Sequence, residues 1–142
     1  MNQRYIGTKI ILALAMTRLA YNEYRGWDLP ADENGADEGY LVEYQDGGKP
    51  NHPGHVGYIS WSPKEQFEAA YLPIGDVEGY QPHQVRVIAE KAQLDDKIAK
   101  LDAFTKTQAF KSLTALDDEL LTTQLSCMRE YSSILARRIH GF

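Results

Sequence analysis

Residues 79–98 read GYQPHQVRVIAEKAQLDDKI. Pro82 suits the first position of a helix, where its missing N–H costs nothing. From there Val87, Lys91, Leu94, Ile98 and Leu101 recur in alternating steps of four and three. That spacing predicts one long helix, from about Pro82 to Phe104, with a heptad seam along it. Leu121, Leu125, Met128, Ser132, Leu135 and Ile139 repeat the pattern, which predicts a second helix from about Asp117 to Ile139. The intervening TKTQAFKSLTALD carries Phe110, Leu113 and Leu116 and suits a short helical turn, with Thr114 and Asp117 as caps for the second helix. The two helices together read as an antiparallel hairpin.

Composition changes sharply just before this hairpin. The chain has 142 residues, 43% of them hydrophobic. Gly, Pro, Tyr and Trp concentrate in the first half, whereas beyond Pro82 the only Gly is Gly141 and there is no further Pro. The shift falls in PIGDVEGYQP and divides the chain into a module over residues 1–76 and a hairpin over 77–142. In the module, YIGTKIILALAM, GYLVEYQDGG and VGYISW read as strands from their β-branched content and alternation. TRLAYNEYRG reads as a short helix, capped by Thr17 and stopped by Gly26. SPKEQFEAAY reads as another, with Ser62 as cap, Pro63 at the first helical position and Glu65 closing a capping box. Phe67 and Tyr71 would share one of its faces. The predicted fold is α+β: a small N-terminal antiparallel sheet with short helices, followed by a long helical hairpin.

Charge narrows the function classes. Net charge is −5, so general affinity for DNA, RNA or an anionic membrane is not expected. Residues 1–81 carry a net −6 and residues 82–142 a net +1, which favours the second half for any anion site. Cys127 is the single cysteine, which excludes an internal disulfide and points to a reducing, cytosolic setting. KIILALAM is too short to span a bilayer. His52 and His55 in NHPGH lack a third ligand, and ADENGADEG lacks the spacing of a calcium loop. Ser60, Ser62 and Cys127 have no neighbourhood of a nucleophile, and no glycine-rich phosphate loop is present. The sequence thus points away from an enzyme, a metal and a cofactor.

Several residues carry two readings. Lys91 and Ser132 interrupt the seams; a lysine there snorkels to water or lines a pocket and meets an anion. Tyr80 packs as an N-terminal staple or stacks on a base beside the free N–H groups of the helix start, with Arg86 on the same helix. Arg137 and Arg138, in REYSSILARRIHGF, complement a helix C-terminus or grip phosphate; Arg129 lies mid-helix and fits the second role better. In the N-terminal module Arg18, Arg25, Tyr58 and Trp61 are core or ligand groups. Further apolar residues flank each seam, among them Val85, Ile88 and Ala92 on the first helix and Leu120, Tyr131 and Ile134 on the second. A hairpin apolar on more than one side needs partners, and homo-oligomerisation is the expected answer.

GYQPHQVRVIAEKAQLDDKI resembles the opening of the helical hairpin in phage anti-CBASS sponges of the second described class. The layout of a small α+β module before such a hairpin is similar to the first described class of Thoeris anti-defence proteins, which share it. YIGTKIILALAMTRLAYNEYRGW, GYLVEY and GYISWSPKEQFEAAY resemble stretches of small phage and prophage proteins joined to such hairpins. The resemblance implies a viral immune-evasion protein without catalysis, acting in the host bacterial cytoplasm. It would sequester cyclic ADP-ribose isomers or cyclic di- or trinucleotides as a homo-oligomer, a hexamer by the family's habit. The family's tyrosine falls on Tyr80 as the stacking ring. The family's lysine falls on Asp95, so Lys91, one turn earlier, or Arg86 stands in. The ligand set thus comprises Tyr80, Arg86, Lys91, Arg129, Arg137 and Arg138 in the hairpin and Arg25 and Trp61 in the module. The alternative is a helical adaptor that docks a protein and binds no nucleotide.

Overall fold

The computed structural model describes residues 1–142, which divide into two compact units, Met1–Tyr71 and Leu72–Phe142. The division falls five residues before the expected one.

The first unit is built on a three-stranded antiparallel sheet in the order β1-β2-β3, with β1 at Ile11–Ala15, β2 at Gly39–Tyr44 and β3 at Tyr58–Pro63. Helix α1 (Arg18–Arg25) follows β1. Thr17 caps it, accepting the Ala20 N–H at 3.2 Å, and Gly26 ends it in the left-handed region at φ 72°. The register sets Leu14 opposite Leu41, and Leu41 opposite Trp61, so these side chains share one face. Tyr21 of α1 packs on that face with Leu41 and Ile59 to form the core, and Trp61 donates its indole N–H to the Met16 carbonyl at 2.8 Å. The other face receives α2 (Lys64–Ala70), whose Phe67 stacks on Tyr40 with centroids 4.1 Å apart. Phe67 also stacks on Tyr71 at 5.0 Å, as their spacing predicts.

The start of α2 departs from the sequence expectation. Ser62 caps nothing: it lies inside β3, opposite Tyr40, and the ladder runs on to Gly39–Pro63. Lys64 donates its N–H to the Glu38 carbonyl at 3.1 Å, so strand pairing holds the backbone extended through Pro63. The helix begins one residue late, without a side-chain cap and without the Glu65 capping box. The strand over YIGTKIILALAM is also shorter than expected, because β2 offers partners only to Ile11–Ala15.

The second unit holds α3 (Pro82–Thr105), the short α4 (Gln108–Lys111) and α5 (Ala115–His140). Pro82 opens α3, and the Gln81 N–H is donated to Gln84 Oε1 at 2.8 Å. Thr114 caps α5 through the Asp117 N–H at 3.2 Å. Two contacts fix the antiparallel register: Ser132 Oγ donates to Asp95 Oδ1 at 2.5 Å, and Arg129 Nη2 to Asp102 Oδ1 at 2.8 Å. Only Val87, Leu125 and Leu135 of the seams are buried, and of these Leu135 alone is wholly out of solvent. Leu94, Ile98, Leu101, Leu121, Met128 and Ile139 are half-buried.

Asp95 is the polar pin of this seam. Lys91 Nζ donates to its Oδ2 at 2.5 Å while Ser132 takes Oδ1 from the facing helix. The two residues that break the apolar pattern therefore meet one carboxylate. Burial works against ionisation of Asp95, but the hydrogen bonds from Lys91 and Ser132 together outweigh it and hold the carboxyl below the usual carboxylate range.

Two outcomes are expected from these contacts. A Cβ at Gly39 would lie 2.4 Å from the Trp61 ring and 2.4 Å from the Ser62 carbonyl oxygen, both fixed in the ladder. Gly39→Ala should therefore cost the first unit about 1–3 kcal/mol in urea unfolding, while Ser62→Ala, which removes no cap, should change little. In Asp95→Asn the hairpin should lose about 0.5–1 kcal/mol at pH 7, a small effect because the pair is partly exposed. A depressed native pKa stabilises above the unfolded carboxylate pKa of about 3.9 and ceases to do so as pH falls through the native value. Thermal melts of the two proteins should hence differ at pH 7 and converge as pH falls below the ordinary carboxylate range and through the native value.

Candidate functional site

Each unit gathers part of the expected ligand set. In the hairpin, the antiparallel register carries the start of α3 and the end of α5 to one end. Gly79, at φ 86°, allows the turn in which the Tyr80 N–H returns to the Val77 carbonyl at 3.2 Å. Tyr80 then stands at the mouth of α3, 41% exposed, with the Phe142 ring edge-on to it at 6.4 Å. Arg86 is exposed one and a half turns into α3, and Arg137 and Arg138 are exposed in the last turn of α5. None of these three arginines forms an ion pair within the chain. The result is a hydrated aromatic face with uncompensated forked cations at the same end of the hairpin, a combination suited to a planar group bearing phosphate.

The other two cations of the hairpin set are engaged. Lys91 spends its ammonium on Asp95, as described above. Arg129 pairs with Asp102, nine residues or about 13 Å of helix from Arg138. The Lys106 ammonium, with the Arg129 guanidinium beside it, holds the Asp102 carboxyl below its ordinary value. The Lys91–Asp95 pair is local, four residues apart on one helix, whereas the carboxylate that faces Arg129 depends on the interhelical register, which sequence spacing does not show. Phe142 escapes the heptad pattern altogether, since it lies beyond the last helical turn.

In the first unit, Arg18, Arg25, Trp27, Tyr58 and Trp61 line one open groove of about 360 Å³, together with Asn51 and Glu33. Two arginine–ring stacks form its walls: Arg18 over Trp61 at 4.4 Å and Arg25 over Trp27 at 4.3 Å. Arg18 is balanced by Glu33 at 3.5 Å and Asp37 at 3.4 Å. Arg25 bonds only the Tyr21 hydroxyl, at 3.2 Å, and is the uncompensated cation of the groove. Asn51 exchanges two hydrogen bonds of 2.8 Å with the Ile59 backbone and so fixes the loop that forms the rim. The four groups singled out in this module thus share one site. Trp27 joins them because Gly26 turns the chain back beside α1, a consequence of the helix stop visible in the sequence.

His52 and His55 have a different role. His55 Nδ1 bonds the Glu43 carboxylate, its Nε2 bonds the Tyr24 hydroxyl at 2.8 Å, and the His52 ring stacks on Tyr24 at 4.5 Å. The chain from Glu43 through His55 to Tyr24 ties the loop before β3 to α1. No group of three or more His, Cys, Asp or Glu side chains is placed to hold a metal ion. No helix is long and apolar enough to cross a membrane.

Comparison with known proteins bears on the second unit. The model of the Sequestin family matches residues 81–140. An uncharacterized 7.5 kDa protein from the denB-rIIB intergenic region of Enterobacteria phage T4 is 37% identical over 60 residues, which is 42% of this chain and 94% of that protein. No solved structure matches. The family match opens at Gln81, one residue after Tyr80, runs through both long helices with Arg86, Arg137 and Arg138, and closes at His140, and through it the chain belongs to the Sequestin family.

Proposed function

We propose that this chain is a phage immune-evasion protein that binds bacterial immune cyclic nucleotide signals and holds them uncleaved. The ligands are cyclic ADP-ribose isomers or cyclic di- or trinucleotides. Family membership supports sequestration of a small signal, and the phage T4 relative supports a viral setting. The observation that carries the ligand class is the open end of the hairpin, where Tyr80 is exposed beside Phe142 and Arg86, Arg137 and Arg138 lack internal partners. Lys91 and Arg129 contribute through the same surface only if a ligand displaces Asp95 and Asp102. Arg25 and Trp61 make the groove of the first unit a second place for a flat anion.

Affinity sets a requirement on assembly. A sponge that keeps a signal below a micromolar trigger needs a nanomolar site, about −12 kcal/mol. One stacked base contributes roughly 1–3 kcal/mol. Enclosure between copies supplies the remainder, by excluding water and bringing arginines from a neighbour. The α5 surface suits this: Leu116, Leu120, Tyr131 and Ile134 are 64%, 57%, 44% and 49% exposed along one helix. A closed ring, a hexamer in the proposed assembly, repeats the site in every copy. The same stripe is the one observation that favours the adaptor alternative, in which a foreign helix covers it and no nucleotide binds.

Isothermal titration of the full chain against cyclic ADP-ribose isomers, cyclic dinucleotides and cyclic trinucleotides distinguishes these. At least one should bind with nanomolar affinity, and heating the complex should release it with unchanged mass. Tyr80→Ala should weaken binding roughly 10- to 100-fold, and the double substitution Arg137→Ala/Arg138→Ala should weaken it with a reduced salt dependence. Folded protein that binds none of the panel would leave the adaptor.

A further inference from the structure

The N-terminal segment has the sequence of a strand and no strand to pair with. Ile6, Thr8, Ile10, Leu12 and Leu14 alternate in phase, four of the five apolar, but β2 pairs only with Ile11–Ala15. Gln45 leaves β2, and Gly47 at φ 86° turns the chain away, so no backbone partner within the sheet reaches residues 5–10; the Lys9 side chain alone reaches back, pairing with Asp46 at 2.6 Å and lying over the Tyr44 ring. Tyr5 and Ile6 are 86% and 91% exposed, and Leu12 and Leu14 are 50% and 61% exposed on the edge strand. The edge itself, ILALA, carries no charge, proline or bulge of the kind that protects exposed edges.

We propose that residues 5–15 pair antiparallel with the same residues of a second copy, joining two sheets into one of six strands. The pairing phase follows from the hydrogen bonds. Met16 N–H bonds the Gly39 carbonyl at 2.9 Å, so even-numbered residues of β1 turn their backbone groups toward β2 and odd-numbered ones turn theirs to the free edge. A two-fold pair must therefore match odd with odd. Centring it on Lys9 would set two ammonium groups opposite one another, which is unfavourable. Centring it on Ile11 leaves Ile6 outside the ladder. Centring it on Ile10 sets Ile6 against Leu14 and Ile10 against Ile10 on one face, and Tyr5 against the small Ala15 on the other. The second copy's Ile6 then covers the open side of the apolar pocket of about 300 Å³ that Leu12, Leu14, Met16 and Leu41 line beside α1.

The register gives a test independent of any association through the hairpin. In the full chain with Cys127→Ser, Ile10→Cys places two thiols directly opposite in a non-hydrogen-bonded pair, about 4.5 Å apart at Cα and within disulfide reach. Mild oxidation should convert most of it to a covalent dimer on a non-reducing gel. Ile6→Cys should remain monomeric under the same conditions, its counterpart being about 27 Å away, and Ile6→Cys with Leu14→Cys should cross-link. Gly7→Pro, which removes an N–H aimed at the partner and lies in open space in the chain, should reduce the Ile10→Cys dimer several-fold. Circular dichroism equal to that of the parent establishes folding for each variant. An Ile10→Cys chain that folds but stays monomeric, or cross-linking equal at residues 6 and 10, overturns the pairing.

Discussion

A pair of helices has one line of contact, and α5 carries more apolar surface than that line covers. Helices of 24 and 26 residues lie antiparallel, yet only Val87, Leu125 and Leu135 are buried in them. Burial of apolar surface is the main favourable term in folding, at about 25 cal/mol per Å². Two helices with three buried side chains are short of it. Leu116, Leu120, Tyr131 and Ile134 remain in water on α5, and the stability of the hairpin is coupled to whatever covers them. The association and ligand enclosure proposed above would both make up for that one shortage of core.

Within the seam, specificity comes from charge. An apolar stripe alone would let the helices slide by a turn at small cost. Asp95 prevents this by accepting from Lys91 on its own helix and from Ser132 on the other, and Asp102 does the same with Lys106 and Arg129. A one-turn slip would leave both carboxylates without their partners across the interface. The same pins absorb three cations, Lys91, Lys106 and Arg129, while Arg86, Arg137 and Arg138 have no ion-pair partner toward the Tyr80 end.

What could be read in the sequence was local. Pro82, Thr17, Gly26 and Thr114 mark element ends because a cap acts within one turn of its own position, and the structure places all four there. The heptad steps gave both long helices for the same reason. Ser62 and Glu65 failed as a cap because a competing demand, the β2–β3 ladder, lies more than twenty residues away in sequence. The strand expected over residues 5–16 was halved by the length of its partner, again a non-local fact. In the candidate sites, Tyr80 and the arginines were visible as residue types, and Arg18, Arg25, Tyr58 and Trp61 converge on one groove. The pairing of Arg129 with Asp102 and of Arg18 with Glu33 and Asp37 was not visible, because those carboxylates arrive through tertiary structure, whereas Lys91 and Asp95 stand four apart on one helix.

Hydrogen–deuterium exchange of the full chain with and without a cyclic ADP-ribose isomer or cyclic dinucleotide reads the site directly. If a planar anionic signal is enclosed at the open end of the hairpin, ligand should slow exchange in residues 79–88 and 136–142, with further protection along the α5 stripe wherever copies close around it. Unchanged exchange at both ends of that segment pair, in protein that binds the ligand elsewhere or not at all, would contradict it.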